Sequence, residues 1–267
     1  MAATNETSFP DRNFGWFHDP LSDVNQPFRA LLEGYSRIAP SEVVNHANDM
    51  RNKGFAANPY PCIGRFRFIK LTLLDHPLYG TILQRLKQPD STYLDIGCCF
   101  GQDLRQLVFD GVPSDHLIGL DVAQPLIELG YDLFLADVFQ GSAQSGWAEL
   151  EKRGIDVLHC SAFFHLFPLD QQLAAARQIS KLLKKGGVIV GWQSGNMKPG
   201  NVAGIPQDSY SYRHNVSTLN KMWRRVGEDT QTQWKVEGTL DMVGIDPESP
   251  VENEDSRRLL FTITRLH

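Results

Sequence analysis

The 267-residue chain is predicted to form an α/β fold, with a doubly wound, mostly parallel seven-stranded sheet and an N-terminal helical cap. Three observations predict this fold. From residue 92 onwards, short apolar β-leaning runs alternate with helical periods, which is typical of a parallel sheet with helices on both faces. A glycine turn at 97–101 joins the first strand to a helix. Two alternating segments near 234–242 and 259–266 predict two further strands.

The stretch before residue 92 has helical periodicity and helix-ending signals. Ser41 is the expected N-cap of the second helix, and Gly54 is its expected stop. The predicted helices of this stretch are 27–38, 42–53, 63–74 and 78–86.

The remaining elements follow from the alternation. The first five strands are predicted at 92–96, 117–121, 133–136, 155–161 and 188–193. The helices between and after them are predicted at 102–110, 125–131, 143–152, 169–183 and 217–227. Residues 184–187, Lys-Lys-Gly-Gly, should end the last crossover helix with cations and a turn. Residues 194–215 are rich in Gly, Asn, Pro and Ser, a composition typical of a loop.

We divide the chain by function into two parts. Residues 1–90 should form the helical cap and a substrate-pocket segment, and residues 91–267 the cofactor-binding core with a lid loop at 194–216. The net charge is −5 without a basic block, so we expect no nucleic-acid partner. The sequence has no apolar run of the roughly 18–20 residues that span a membrane, and its polar N-terminal stretch leads us to expect no secretory signal. We therefore expect a reduced, cytoplasmic chain, and we leave a homodimer open.

The turn after the first strand carries the strongest functional signal. Gly97 and Gly101 lie where α/β sheets bind ligands, and Asp121 ends the second strand, where an acid suits a ribose diol. The middle glycine of a dinucleotide fingerprint is replaced by Cys99. Asp95 would repel a pyrophosphate but attract the ammonium of S-adenosylmethionine. Asp95 as a turn cap, or a glycine turn without ligand, is the alternative.

The run D-I-G-C-C-F-G at 95–101 resembles the first motif of class I S-adenosylmethionine-dependent methyltransferases. Cys99 departs from the commoner glycine. Segment 60–68 is similar to the small fungal methyltransferases of meroterpenoid pathways, which methylate a carboxyl group on a farnesylated aromatic polyketide. This resemblance implies a Rossmann-like core whose last strand is antiparallel, and S-adenosylmethionine as the cofactor.

The resemblance also implies a set of cofactor-binding residues. Residues 137–139 look like the motif that holds adenine, where a carboxylate and a backbone amide meet the base and Phe139 packs on it. A helix N-cap or turn role is the alternative for Asp137. In this superfamily, segment 160–167 runs from the methionine end of the cofactor towards the substrate. The predicted cofactor-binding residues are Asp95, Gly97, Gly101, Asp121, Val122, Asp137, Val138, Phe139, Ser161 and Ala162.

His165 is the candidate catalytic residue, because histidine side chains ordinarily have a pKa close to neutral, which suits proton transfer. It is a general base, a hydrogen-bond donor to the acceptor oxygen, or a half-buried packing residue. A carboxylate is already ionised near neutral pH, whereas a phenol with a pKa near about 10 would gain from a base. With a carboxylic acid as substrate, His165 should therefore act through binding rather than proton transfer.

Aromatic residues and arginines before the core and after the fifth strand predict an apolar acceptor pocket with cationic groups. Ordinary core packing and solvated arginines are the alternatives. The predicted substrate-binding residues are Tyr60, Arg65, Phe66, Phe164, Trp192, Tyr212 and Arg213. No cluster of acids and amides resembles a magnesium site at the exit of the fourth strand, so we expect no metal.

These signals together favour an enzyme of secondary-metabolite biosynthesis that forms a methyl ester on a small hydrophobic, prenylated aromatic acid. A phenol or hydroxyl O-methyltransferase is the nearest alternative. A catalytically silent S-adenosylmethionine-binding subunit is another. A dinucleotide oxidoreductase is a more distant one, given Cys99 and Asp95.

Overall fold

The structure is a computed structural model that describes residues 17–134, 147–203, 210–245 and 252–267. These residues fall into two units. The first contains the described residues up to Leu71, with Cys99–Gln102 and the segment from Ala123 to Phe134. The second contains Thr72–Cys98, Asp103–Val122 and the described residues from Trp147 onwards. The functional division at residue 90 stays a prediction.

The described elements are numbered in chain order. The helices are α1 Gln26–Gly34, α2 Val43–Ala57, α3 Pro61–Gly64, α4 Tyr79–Leu86, α5 Gln102–Phe109, α6 Gln124–Phe134, α7 Trp147–Arg153, α8 Leu169–Leu182 and α9 Val216–Thr230. The strands are β1 Tyr93–Ile96, β2 Leu117–Leu120, β3 Ile155–His159, β4 Leu183–Asn196, β5 Gly200–Ala203, β6 Tyr210–Arg213, β7 Trp234–Asp241 and β8 Ser256–Arg265. Short 3-10 turns lie at Arg67–Ile69, Ser114–His116 and Phe164–Leu166. None of the described helices is both long and apolar enough to cross a lipid bilayer.

The first unit is helical and has an aromatic core. The side chain of Asn25 caps α1 by accepting the Phe28 N–H at 3.2 Å. The Phe68 ring packs edge-to-face on Phe28 and Phe100, with ring centroids 6.2 and 5.0 Å away. Edge-to-face pairs of this kind add to the stabilisation from apolar burial. α2 also packs against α6, so the unit joins segments that are distant in sequence.

Three sequence predictions for this unit are wrong. Glu42 rather than Ser41 precedes α2 as its N-cap, without a side-chain capping bond. Gly54 lies inside α2 and does not stop it; a Cβ there would lie 2.6 Å from the Phe100 ring, so close packing explains the glycine. The predicted helix 63–74 is replaced by α3 and a 3-10 turn, because Phe66 adopts a left-handed φ of +54° that interrupts any helix.

The second unit is built on a six-stranded sheet in the order β2-β1-β3-β4-β8-β7. β2, β1, β3 and β4 run parallel, and β8 is antiparallel to both β4 and β7. The predicted α/β fold with a closing antiparallel strand is thus confirmed, with one strand fewer than the predicted seven in the described residues. At the predicted strand 133–136, Leu133 and Phe134 end α6, and residues 135 and 136 lie outside the described residues. Short apolar runs do not distinguish a helix end from a strand.

The segment predicted to be an irregular lid is largely β-structure where it is described. β4 continues to Asn196, which pairs with Ser256 of β8, and β5 and β6 form an antiparallel pair. Residues 204–209 lie outside the described residues. At the start of β4 the register with β3 shifts, so residues 184–187 bulge from the strand and Gly186 takes a φ of +76°. Pairing with neighbouring strands outweighs the weak β-propensity of this composition.

The two faces of the sheet differ in chemistry, and this difference positions the site. Leu94, Leu158 and Ile189 are neighbours across β1, β3 and β4 and are buried in the main apolar core. Because side chains alternate along a strand, Asp95 and His159 point to the opposite face. The register pairs Asp95 directly with His159. A carboxylate and an imidazole therefore lie side by side at the carboxyl ends of two central strands.

Candidate active site

Three polar side chains form a hydrogen-bonded chain where β1 and β3 end. His159 Nδ1 lies 3.0 Å from Asp95 Oδ1, and His159 Nε2 lies 2.7 Å from Ser161 Oγ. Asp95 and His159 are only 3% and 2% exposed, whereas Ser161 is half-buried. Burying a charge is costly unless it is paired and hydrogen-bonded. This hydrogen-bonded series therefore gives the buried Asp95 and His159 polar partners, and it reaches solvent at Ser161.

A second buried carboxylate, that of Asp103, lies close to His159. Asp103 on α5 accepts the Leu73 N–H at 3.0 Å and the Thr72 hydroxyl at 3.2 Å, and Thr72 Oγ1 is also 3.3 Å from His159 Nε2. Burial raises the pKa of Asp103 to about 6, although the neighbouring His159 opposes this shift. For His159, burial opposes the charged form, but the contact with Asp95 and the nearby Asp103 raise the pKa of the imidazole.

Asp95, Asp103 and His159 offer ligand atoms that lie within 4.8 Å of one another, a spacing that a cation could bridge. Hydrogen bonds within the protein already satisfy these groups: Asp95 contacts His159, and Asp103 contacts Thr72 and Leu73. We therefore interpret the cluster as a buried hydrogen-bonded network. The absence of a metal requirement stays a prediction of the sequence.

The glycine turn has the backbone that a cofactor cradle requires. Gly97, Cys99 and Gly101 have φ values of +78°, +54° and +71°, in the left-handed region. The Gly97 N–H donates to the Leu120 carbonyl at 2.7 Å, which ties the turn to the end of β2, next to Asp121. A Cβ on the exposed Gly97 would meet no atom within 4 Å. Open space beside a glycine backbone, close to a strand-end acid, fits a nucleoside cofactor.

The other predicted cofactor-binding residues are placed as follows. Val122 follows Asp121 and is 96% exposed. Ala162 has a left-handed φ of +54°, and its N–H donates to the Trp192 carbonyl at 2.7 Å. Their roles in binding stay predictions. Three of the predicted residues lie outside the described residues: Asp137, Val138 and Phe139.

His165 is half-buried and hydrogen-bonded on two sides. Its Nδ1 accepts the Ser194 N–H at 3.2 Å, and its carbonyl accepts Arg213 Nη1 at 3.2 Å. The imidazole and Trp192 rings have centroids 6.4 Å apart. Because Nδ1 accepts a hydrogen bond, the proton of the neutral ring lies on Nε2. The structure thus brings together three residues predicted separately for catalysis and substrate binding.

Arg213 is a buried cation beside His165. It is only 8% exposed, and burial lowers the pKa of its guanidinium to about 10, while Glu252 opposes this shift. The guanidinium therefore stays protonated near neutral pH. The neighbouring Tyr212 packs edge-to-face on His214, with ring centroids 4.8 Å apart.

Two of the predicted substrate-binding residues are packing residues in this structure. Phe164 is fully buried, and its ring packs edge-to-face on Trp223 with centroids 6.4 Å apart. Phe66 is also buried, and the Arg51 guanidinium lies 4.5 Å from its ring centroid. Their roles in substrate binding stay predictions. Two more predicted residues of the first unit, whose roles stay predictions, are partly exposed: Tyr60 and Arg65.

The buried network contains residues that the sequence did not single out, namely His159, Asp103 and Thr72. His159 ends an apolar strand and has the appearance of a core residue. One signal could have drawn attention to it, because His159 and Asp95 both lie near the carboxyl ends of predicted strands. Pairing them requires the register of β1 against β3, which short apolar strands do not reveal.

Comparison with known proteins identifies the family. The family model of the meroterpenoid methyltransferase N-terminal domain matches residues 16–69, and that of a methyltransferase domain matches residues 94–187. The O-methyltransferase phiE of a fungal species is 35% identical over 95% of this chain and 93% of its own. The chain belongs to the meroterpenoid methyltransferase family.

Two further relatives of this meroterpenoid methyltransferase are similar over most of their length. O-methyltransferase atr3 of Stereocaulon alpinum is 33% identical over 98% of this chain and 79% of its own. The asnovolin E/chermesin D methyltransferase nvfJ of Aspergillus novofumigatus is 35% identical over 81% of this chain and 82% of its own. The predicted enzyme class and cofactor are confirmed: it is an S-adenosylmethionine-dependent O-methyltransferase of the kind found in fungal secondary metabolism.

Proposed function

We propose that this methyltransferase forms a methyl ester on the carboxyl group of a small hydrophobic acid of the prenylated aromatic or meroterpenoid class. The observation that carries the proposal is Arg213, a buried guanidinium that stays cationic and donates to the His165 carbonyl. A buried cation is stabilised by an anionic partner, and a carboxylate matches the planar fork of a guanidinium. The Trp192 ring beside His165 adds apolar surface for such an acid.

The similarity to relatives supports the acceptor class. The family model that matches residues 16–69 is named for meroterpenoid methyltransferases, and the relative nvfJ is named for asnovolin E and chermesin D. We extend this class to the present chain as part of the proposal. A cytoplasmic location and a homodimer stay predictions.

The proposed reaction needs no general base. S-adenosylmethionine supplies a methyl group on a positively charged sulfur. A carboxylate acceptor is already ionised near pH 7, so its oxygen could accept the methyl group without losing a proton, and no residue of this chain would have to remove one. His165 fits a binding role, because its Nδ1 already accepts the Ser194 N–H and Nε2 carries the proton of the neutral ring. Arg213 and His165 would therefore orient the acceptor, and positioning would supply the rate.

The carboxyl end of the sheet would hold the cofactor. Asp121 would accept hydrogen bonds from the ribose hydroxyls, and the open backbone at Gly97 would admit the nucleoside. Ser161 would face the methionine end. Asp95 is already hydrogen-bonded to His159. Any attraction between its carboxylate and the ammonium group of the cofactor would therefore act alongside this hydrogen bond.

The test is the transfer of a labelled methyl group to two matched prenylated aromatic acceptors, one with only a carboxyl and one with only a phenol. Wild type should methylate the acid. His165→Gln should lose about two- to tenfold, since a neutral hydrogen bond contributes about 0.5–1.5 kcal/mol. Removing a true general base would cost about 100- to 10,000-fold.

Arg213→Gln supplies the second arm of this test. It should raise KM for the acid, because the proposed anion partner is lost, and it should spare any turnover of the phenol. Methylation of the phenol alone, abolished by His165→Gln, would contradict the carboxyl proposal and support a phenol O-methyltransferase. Binding of S-adenosylmethionine without methyl transfer to either acceptor would support a catalytically silent S-adenosylmethionine-binding subunit.

A further inference from the structure

We propose that His159 is a positioning residue of the donor site, by which we mean the place where the methyl donor S-adenosylmethionine binds. His159 sets the direction in which the Ser161 hydroxyl points its proton, and Asp95 holds the His159 ring in place. The inference rests on the proposed place of Ser161 beside the cofactor. It does not depend on which acceptor oxygen is methylated.

The ring of His159 is held on three sides. Nδ1 lies 3.0 Å from Asp95 Oδ1, Nε2 lies 2.7 Å from Ser161 Oγ, and the Tyr93 ring stacks on the imidazole at a centroid distance of 6.4 Å. Rotating or flipping the ring would break both hydrogen bonds inside a buried site. An ionised carboxylate only accepts hydrogen bonds, so Nδ1 carries a proton in both charge states of the imidazole. Protonation therefore changes Nε2 alone.

The protonation state of His159 Nε2 determines whether the Ser161 hydroxyl points a lone pair or its proton outwards. When His159 is neutral, Nε2 accepts the Ser161 O–H, and the oxygen presents lone pairs outwards. When His159 is cationic, Nε2–H donates to Ser161 Oγ, and the hydroxyl proton turns outwards. An outward proton suits an anionic group, such as the carboxylate of the amino-acid end of the donor.

The charges around His159 favour the second state. Asp95 from β1 and Asp103 from α5 are both buried beside the ring, and their negative charge favours the imidazolium. Thr72 and Tyr93 also contact the ring, and His76 interacts with it electrostatically. Burial lowers the pKa of His76, so this second imidazole stays neutral and adds little repulsion near pH 7.

The hydrogen-bonding order carboxylate, imidazole, hydroxyl in Asp95, His159 and Ser161 also matches that of the catalytic triads of acyl-transfer enzymes. Acyl transfer requires N–H donors aimed at an oxyanion beside the serine. The N–H that follows the serine, that of Ala162, donates to the Trp192 carbonyl at 2.7 Å instead. The geometry therefore supports a hydroxyl that is oriented rather than one that attacks.

The experiment measures the affinity for S-adenosylhomocysteine by calorimetry from about pH 5.5 to about pH 8.5, without acceptor. Wild-type affinity should fall as the pH rises through the pKa of His159. Ser161→Ala should bind about two- to tenfold more weakly at low pH and lose this pH dependence. Ser161→Thr keeps the hydroxyl and should restore both. His159→Gln keeps a polar group but cannot titrate, so its affinity should not follow pH.

Thr72→Val is the matched control, because Thr72 contacts the same ring nitrogen at 3.3 Å and is not a predicted cofactor-binding residue. It should retain the wild-type pH dependence. Asp103→Asn should keep a pH dependence but move its midpoint to lower pH, because the charge of Asp103 favours the imidazolium. This result separates the titration of His159 from that of Asp103, whose own pKa is about 6. Circular dichroism confirms that each variant is folded before titration.

Two results would overturn the proposal. One is the same pH dependence in wild type and Ser161→Ala, and the other is an equal loss in Thr72→Val and Ser161→Ala. The acceptor question is separate. A wild type that shows the expected pH dependence but methylates only the phenol would refute the proposed carboxyl function and leave the role of His159 intact.

Discussion

Asp95→Asn removes one charge from the buried pair with His159 and keeps an oxygen that accepts the Nδ1–H. The two atoms lie 3.0 Å apart, and both residues are almost fully buried. At an effective dielectric constant of about 20, two unit charges about 4 Å apart attract each other by about 4 kcal/mol. Because the hydrogen bond survives, we expect the free energy of unfolding to fall by about 2–4 kcal/mol near pH 6.

The pH dependence of this loss follows from the pKa of His159. Burial opposes protonation, but Asp95 raises the pKa in the folded state above the value of about 6.5 expected for the unfolded chain. A raised pKa adds stability that is fully present below the unfolded pKa and is lost as pH rises through the folded pKa. Near pH 9, therefore, Asp95→Asn should cost less than about 1 kcal/mol.

Urea unfolding followed by tryptophan fluorescence measures this difference, since the described tryptophans all belong to the second unit. The control is Asp241→Asn, which breaks a partly exposed pair with Arg258 at 2.6 Å and should cost at most about 1 kcal/mol at either pH. An equal loss at both pH values in Asp95→Asn would refute the carboxylate–imidazolium pair.

Three further predictions concern the glycine turn, the ribose site and the core. Asp121→Ala should weaken S-adenosylhomocysteine binding tenfold or more in calorimetry, since charge-assisted hydrogen bonds contribute about 1.5–3 kcal/mol; unchanged affinity in the folded variant would contradict the assignment. Gly97→Val should abolish binding, because it strains a φ of +78° and fills the open space, while Gly200→Val, equally open but without a positive φ, should bind normally. Phe164→Ala should lower the free energy of unfolding by about 3–5 kcal/mol through a cavity beside Trp223, whereas the exposed Leu166→Ala should change it little; a stable Phe164→Ala would contradict the core placement.

The parallel half of the sheet could be predicted because its strands are short apolar runs with glycine or acidic ends. β1, β2 and β3 begin within one residue of the predicted 92, 117 and 155. The segment after residue 194 could not be predicted in the same way. The pairing of β4 with β8 as far as Asn196 depends on a partner distant in sequence, and local propensity does not reveal it.

The same distinction between local signals and long-range contacts applies to the residues of the candidate site. Gly97 and Asp121 belong to a motif whose spacing is fixed along the chain, so the sequence was sufficient to propose them. The contact of His159 with Asp95 depends on strand register, and the burial of Phe164 depends on α9 packing over the core. An aromatic residue beside a predicted site has the same local signature whether it lines a pocket or fills a core.

The most direct test of the proposed carboxyl methylation uses one acceptor, a prenylated aromatic compound that carries both a free carboxyl and a free phenol. The enzyme is incubated with this compound and S-adenosylmethionine labelled in the methyl group, and the purified product is treated with mild alkali. A methyl ester releases the label as methanol, whereas an aryl methyl ether retains it. We expect wild type and His165→Gln both to give alkali-labile product. Label that stays on the ring after alkali, and disappears altogether in His165→Gln, would contradict the proposal that the enzyme methylates a carboxylate without a general base.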